Sequence, residues 1–157
     1  MKKRALCALV CLALCVSLAG PAYATESGVN FVINGTASEA KFDARVIDGT
    51  TYVSYWPVVS ALYPDAVAVW ANNRAEVTAE GLTLWIKPCA RYIVANGRYL
   101  YVPETVQVDG YSILVPVRTL CQALGATVEW DASTSTISIT SGSGPILSGD
   151  EYYDEED

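Results

Sequence analysis

A sequence repeated in the middle of the chain decides the fold. The first copy reads Asn34-Gly35, Ile47-Asp48-Gly49, Pro57, Ala61-Leu62 and Val69-Trp70, and the second reads Asn96-Gly97, Val108-Asp109-Gly110, Pro116, Ala123-Leu124 and Glu129-Trp130. The offset is 62 residues at Asn-Gly, 61 at Asp-Gly and 60 at the tryptophan, which fits short loop insertions inside a duplicated unit. The repeat predicts two related folding units, at about residues 29–85 and 89–140.

Each copy carries turn signals for antiparallel hairpins and an apolar pattern for one short helix. Asn-Gly between apolar runs is the strongest short-range hairpin signal, and it occurs at Asn34-Gly35 and at Asn96-Gly97. In the second copy a single helical stripe follows Pro116, formed by Val117, Leu120, Cys121 and Leu124. We therefore expect the fold class to be α+β: two related units of antiparallel β-hairpins, each with one short helix packed on the sheet.

The two ends of the chain differ from this middle. Residues 1–24 have the pattern of a secretory signal peptide: basic residues 2–4, an apolar run over 5–18 and the cleavage motif Ala22-Tyr23-Ala24. The apolar run is shorter than the ~20 residues that span a bilayer, so we expect a secreted protein with no membrane span after signal removal. Residues 25–140 would form the folded domain, and residues 141–157 a flexible linker and acidic tail.

The composition excludes several kinds of chemistry. The chain has no histidine, which excludes Ser-His-Asp catalysis and histidine-ligated metal sites. Its net charge is −7 and no basic patch occurs, so we expect no nucleic-acid partner. Glu129 and Asp131 lie at strand-turn positions where exposure is the default, which does not suit the paired carboxylates of a glycosidase. We expect no catalytic, cofactor-binding or metal-binding residues.

Two cysteines, Cys89 and Cys121, follow the predicted leader. In an exported protein two thiols could form a disulfide bond. They could equally be two small apolar residues, because bond formation depends on a Cα separation that the sequence does not give. Both alternatives stay open.

Aromatic residues are the best candidates for a binding function. Trp70 and Trp130 hold equivalent repeat positions, and we expect both in the core. Tyr99 and Tyr101 share one strand face because their spacing is two residues. Together with Tyr111, they are the candidate contacts to a glycan or a partner protein.

The second copy resembles a known family. The residues that carry the resemblance are Val108-Asp109-Gly110, Leu114-Val115-Pro116-Val117-Arg118, Ala123-Leu124-Gly125-Ala126, Val128-Glu129-Trp130-Asp131 and Ile137-Ser138-Ile139. They are similar to the copper-amine-oxidase-like N-terminal domain of secreted bacterial proteins, chiefly Firmicutes. The first copy departs from the pattern, with Ser54-Tyr55-Trp56-Pro57 in place of the second copy's Val115-Pro116-Val117-Arg118. The resemblance implies a non-catalytic extracellular accessory domain, since copper in amine oxidases belongs to a separate catalytic domain.

The tail adds a second resemblance. Residues 148–157 are similar to the segment that opens a cell-wall hydrolase domain of the spore-cortex-lytic type. This implies a parent protein whose C-terminal domain is a peptidoglycan hydrolase. We therefore expect an accessory domain that positions or targets such a hydrolase at the bacterial cell wall. The alternative is a protein–protein interaction or structural spacer domain with no glycan binding.

Overall fold

The chain folds mainly into β-strands. The structure, a computed structural model, describes residues 28–142 and residue 144, so the predicted leader and most of the predicted tail lie outside the described residues. Strands hold 50% of the described residues and helices 13%. The α+β prediction is therefore wrong. The apolar stripes of the sequence do form helices, but these have only 8 and 7 residues, about two turns each, too little to make a helical layer.

The described residues contain thirteen strands and two helices. In chain order they are β1 (Asn30–Ile33), β2 (Thr36–Ala37), β3 (Arg45–Ile47), β4 (Thr50–Ser54), α1 (Tyr55–Leu62), β5 (Val67–Ala71), β6 (Arg74–Ala79), β7 (Leu82–Ile86), β8 (Tyr92–Ala95), β9 (Arg98–Tyr101), β10 (Gln107–Asp109), β11 (Ser112–Pro116), α2 (Val117–Ala123), β12 (Ala126–Asp131) and β13 (Thr136–Ser141). Neither helix is long and apolar enough to cross a membrane, as far as the described residues go.

These strands form three sheets within the described part of the chain. The terminal sheet has the order β12-β13-β1-β2, the inner sheet β10-β11-β4-β3, and the five-stranded sheet β5-β6-β7-β8-β9. Pairing is antiparallel throughout, except that β1 runs parallel to β13.

The two sequence copies exchange hairpins. The closing hairpin of the first copy, β5-β6, lies in the same sheet as the opening hairpin of the second, β8-β9. The closing hairpin of the second copy, β12-β13, pairs with the opening hairpin of the first, β1-β2. The strand order is the same in both sheets apart from β7, which lies between β6 and β8. The copies are therefore interleaved, and neither has a complete set of strand partners by itself.

The two Asn-Gly turns explain how the exchanged hairpins are held. Asn34 and Asn96 both have positive φ, 50° and 48°, which asparagine tolerates better than most residues. The side-chain oxygen of Asn34 accepts a hydrogen bond from the Ser141 backbone N–H at 2.8 Å, and that of Asn96 accepts one from Thr83 at 2.7 Å. Each asparagine thus makes a turn and binds the backbone of the adjacent strand.

The core lies between the sheets and the two helices. Val53 on β4 pairs with Val115 on β11, and both are fully buried at the centre of the inner sheet. Leu120 of α2 is also fully buried. Phe31 on β1 stacks on Phe42, with ring centroids 3.9 Å apart and planes at 11°. These contacts join elements from both sequence copies into one hydrophobic core.

Candidate functional site

The outer face of the five-stranded sheet carries a row of side chains that spans four strands. Glu76 pairs with Trp85, Trp85 with Val94, and Val94 with Tyr99. Residues opposite each other in an antiparallel ladder lie on the same face, so these four form a continuous row from β6 to β9. Val94 is buried although it points outward, because an aromatic residue flanks it on each side. The row therefore places two exposed aromatic rings, Trp85 and Tyr99, on one face of the sheet.

Two further tyrosines, Tyr92 on β8 and Tyr101 on β9, lie beside Tyr99 on the same face. Tyr92 pairs with Tyr101, and the ring of Tyr92 lies 5.0 Å from that of Tyr99 at a 57° tilt. The exposed fractions are 71% for Tyr99, 64% for Tyr101 and 43% for Tyr92. We call these three residues the tyrosine platform. The prediction from the two-residue spacing placed Tyr99 and Tyr101 on one strand face, and the structure places them so and adds Tyr92 beside them.

Local sequence explains why the tyrosine platform faces outward. Along β9 the residues alternate, and Leu100 between Tyr99 and Tyr101 is buried on the inner face. The Asn96-Gly97 turn joins β8 to β9, and the Asn96 side chain also donates a hydrogen bond to the Gly81 carbonyl at 2.9 Å, which ties this turn to the one between β6 and β7. The platform is thus supported by strand pairing rather than by a loop.

Trp85, next in the row, is partly covered by its own neighbours. The guanidinium of Arg74 lies 3.8 Å from the centre of the indole, a cation–π contact. The Arg74 Nε also donates a hydrogen bond to Glu76 at 2.8 Å, and the Asn72 side chain donates a second at 3.0 Å. These hydrogen bonds, that of Asn72 first and then that of Arg74, lower the pKa of Glu76. One face of the Trp85 indole is covered by Arg74, and the Arg74 guanidinium and the Glu76 carboxylate are bonded to each other. The tyrosines are therefore the more accessible rings of this face.

Tyr111, the third predicted contact, lies in a different part of the molecule. It sits between β10 and β11 of the inner sheet and is fully exposed. It does not belong to the five-stranded sheet that carries Tyr99 and Tyr101. The structure therefore does not bring the three predicted residues into one sheet face.

The two cysteines are free thiols in the structure. Cys89 is exposed beyond the end of β7, in a left-handed backbone conformation with φ 61°. Cys121 is buried on the core side of α2, and this burial raises the pKa of its thiol to about 12. The disulfide alternative is not realised in this structure, since one cysteine faces solvent and the other faces the core.

The prediction that Trp70 and Trp130 are core residues is wrong. Their exposed fractions are 60% and 50%. Trp70 pairs with the buried Ala75, and Trp130 pairs with the buried Ile137, so both indoles start from the inner face of a sheet. However, β5 and β12 are edge strands, and at the edge the covering layer ends. The repeat correctly paired the two positions but could not show that both lie at an edge.

A groove lies beside Trp130, apart from the tyrosine platform. It has a volume of about 490 Å³ and lies between α2, the terminal sheet and the β3–β4 turn. Trp130, Glu129 and Arg118 line it together with apolar residues such as Val46 and Val117. Glu129 thus contributes to a groove wall on an edge strand and has no second acid facing it in the lining.

The residues present do not fit a copper site. The sequence has no histidine, and no group of three or more Cys, Asp or Glu side chains in residues 28–142 and 144 could hold a metal ion. Asp131, beside Trp130, accepts hydrogen bonds from the side chain and backbone of Ser133, and these lower its pKa. Its carboxylate is therefore used to make the β12–β13 turn.

Comparison with known proteins identifies the family. A family model described as the copper amine oxidase N-terminal domain matches residues 32–139, more than half of the chain. The chain belongs to this family. The match to the copper amine oxidase N-terminal domain begins in β1 and ends in β13, so it includes all three sheets. The family resemblance predicted from the second copy is confirmed, and such a domain is of a non-catalytic, accessory type. No curated protein and no solved structure matches the chain significantly.

Proposed function

We propose that this domain is an exported wall-binding accessory domain, which holds a cell-wall hydrolase at the peptidoglycan of a bacterial envelope. The ligand would be the glycan strand, and the contact surface the tyrosine platform. The observation that carries the proposal is the exposure of Tyr99 and Tyr101 on a strand-paired, rigid sheet face.

The physical basis is stacking between flat surfaces. The carbon-bound hydrogens of a pyranose ring form an apolar face that packs on an aromatic ring, and tyrosine adds a hydroxyl that can hydrogen-bond to the sugar substituents. Tyrosine also offers a large contact area at a small cost in side-chain entropy. The tilted pair Tyr92 and Tyr99 gives the surface a step, which suits a chain of sugars better than a single ring.

The terminal segments of the sequence support the location and the partner. The pattern of residues 1–24 favours export, and the similarity of residues 148–157 to the start of a hydrolase domain favours a catalytic domain downstream. An accessory domain between these segments would raise the local concentration of the hydrolase at its substrate, which needs only modest affinity for the wall.

Co-sedimentation of the full chain with purified peptidoglycan tests the proposal. We expect saturable binding that a Tyr99→Ala, Tyr101→Ala double variant weakens at least about tenfold, since each exposed aromatic anchor contributes on the order of 1 kcal/mol. Tyr111→Ala is the matched control, because it removes a fully exposed tyrosine from another sheet, and it should bind as the wild type does.

Three results separate the alternatives. Competition by soluble N-acetylglucosamine oligomers would support the glycan as ligand rather than the peptide stem. Equal loss of binding in the Tyr111→Ala control would contradict the assignment to the tyrosine platform. Wild-type protein that stays in the supernatant at all wall concentrations would contradict wall binding and favour the alternative of an interaction or spacer domain.

A further inference from the structure

The described sheets have six edge strands, two in each sheet, and five of them are protected against pairing with another chain. Natural edge strands are kept apart by charged residues or by shortness. β2 has only two residues. The charged residues on the other four protected edges are Arg45 on β3, Arg98 on β9, Asp109 on β10, and Glu129 and Asp131 on β12. β5, Val-Ala-Val-Trp-Ala, has no charged residue.

The outer edge of β5 has free backbone groups at defined positions. β5 and β6 are joined by Asn72 and Asn73, whose φ values of 52° and 57° are those of a two-residue hairpin turn. The residues that close such a turn, Ala71 and Arg74, form a hydrogen-bonded pair. Since pairs alternate along an antiparallel ladder, the N–H and C=O groups of Ala68 and Trp70 point away from β6. No strand of the described chain lies beyond them.

Side chains on both faces of β5 are also uncovered. Val67 and Val69 on the outer face are 58% and 54% exposed, and Trp70 on the inner face is 60% exposed. The sequence repeat supplies an internal comparison, because Val69-Trp70 in the first copy corresponds to Glu129-Trp130 in the second. Where β12 carries a protecting glutamate, β5 carries a valine.

We propose that β5 pairs with β5 of a second copy of this chain, antiparallel, about a twofold axis at Val69. The two five-stranded sheets would then form one continuous sheet. In this register Ala68 faces Trp70 of the partner subunit, so the outward-pointing groups of both strands meet in hydrogen-bonded pairs. The large indole lies opposite the smallest side chain of the strand. Moving the axis to Trp70 would instead place one indole against the other, and moving it to Ala68 would pair Ala68 with Ala68; either register leaves one hydrogen-bonded pair within the strand in place of two.

The charges and the size of this contact define its strength. β5 contributes no charge, and the nearest carboxylate on the outer face, Glu76, is bonded to Arg74, so no unpaired charge is brought to the twofold axis. Five residues a side is far below the roughly 20–30 of a stable interface, and we therefore expect a weak, reversible dimer that forms at high micromolar concentration.

Sedimentation equilibrium of the full chain tests this dimer. The wild type should shift from monomer to dimer as its concentration rises. Val69→Glu transfers the glutamate of β12 to β5 and places two carboxylates at the twofold axis, which should weaken the dimer at least about 100-fold. Val46→Glu is the matched control, since Val46 is an exposed valine on β3, an edge strand of another sheet, and it should dimerise as the wild type does. A wild type that stays monomeric at millimolar concentration, or a Val69→Glu variant that dimerises normally, would overturn the proposal.

Cysteine cross-linking tests the register without relying on a charge. In a chain with Cys7, Cys11, Cys15 and Cys89 replaced by serine, Val69→Cys should form a disulfide-linked dimer on mild oxidation. Residues facing each other in a non-hydrogen-bonded pair have the Cα separation that a disulfide needs. Val67→Cys should not cross-link, because in this register it lies opposite Ala71 of the partner subunit. Equal cross-linking of the two variants would contradict the twofold axis at Val69.

Discussion

The stacked pair Phe31 and Phe42 gives the sharpest test of how the core is held together. Phe31 is 5% exposed and Phe42 is 3% exposed, and their rings lie 3.9 Å apart in nearly parallel planes. Phe31→Ala removes a whole ring from a packed site and should lower the free energy of unfolding by about 3–5 kcal/mol. A domain of this size has roughly 5–15 kcal/mol in total, so this loss is a large fraction of its stability, and the melting temperature should fall by about 12–20 °C.

Urea denaturation followed by tryptophan fluorescence measures this loss. Val32→Ala on the same strand is the control, since Val32 is only partly buried and its truncation should cost less than about 1.5 kcal/mol. A double-mutant cycle with Phe31→Leu and Phe42→Leu should give a coupling energy of about 0.5–1.5 kcal/mol for the ring pair. A loss below 1 kcal/mol for Phe31→Ala, or a coupling near zero, would refute the assignment of this pair to the core.

Three further predictions follow from the fold. A chain ended after residue 87 should be unfolded by circular dichroism, because β1 then lacks β13 and β7 lacks β8; a folded fragment would contradict the hairpin exchange. Asn34→Ala and Asn96→Ala should each cost about 1–3 kcal/mol in urea denaturation, since each removes an exposed side-chain hydrogen bond and places alanine at a positive φ, whereas Asn34→Asp keeps the acceptor and should cost less. Burial raises the pKa of the Cys121 thiol to about 12 from an ordinary value of 9.0, so above pH 9 the unfolded chain binds fewer protons than the folded one and the free energy of unfolding falls, by ~2 kcal/mol at pH 10.5. Cys121→Ala should therefore lose less stability than the wild type between pH 8 and 10.5. An equal loss in the two proteins would argue against burial of the thiol.

Local elements were largely predictable from the sequence. The Asn34-Gly35 and Asn96-Gly97 turns form hairpins because asparagine and glycine adopt the backbone angles that such turns need. The two-residue alternation of Tyr99, Leu100 and Tyr101 predicted which side chains share a face. These features depend on residues close together in the chain, where sequence patterns carry the most information.

The fold class and part of the site were not predictable in this way. The pairing of β1 with β13 joins residues more than 100 positions apart, and the sequence of neither strand indicates which strand it pairs with. Trp70 and Trp130 have the inward orientation expected of core residues, yet both lie on edge strands that no layer covers. The contact of Arg74 with the Trp85 ring depends on the register of the β6–β7 hairpin, which places Glu76 opposite Trp85.

The parallel pair β1 and β13 has a mechanical consequence. β1 follows the start of the described chain and β13 precedes its end, in the register Asn30 to Thr136 through Ile33 to Ile139. A force that pulls the two ends of the domain apart therefore shears β1 and β13 along their length in opposite directions. In this shear geometry the backbone hydrogen bonds between the two strands are loaded together and do not break one after another. The pairing that closes the terminal sheet therefore also makes the domain resistant to mechanical unfolding.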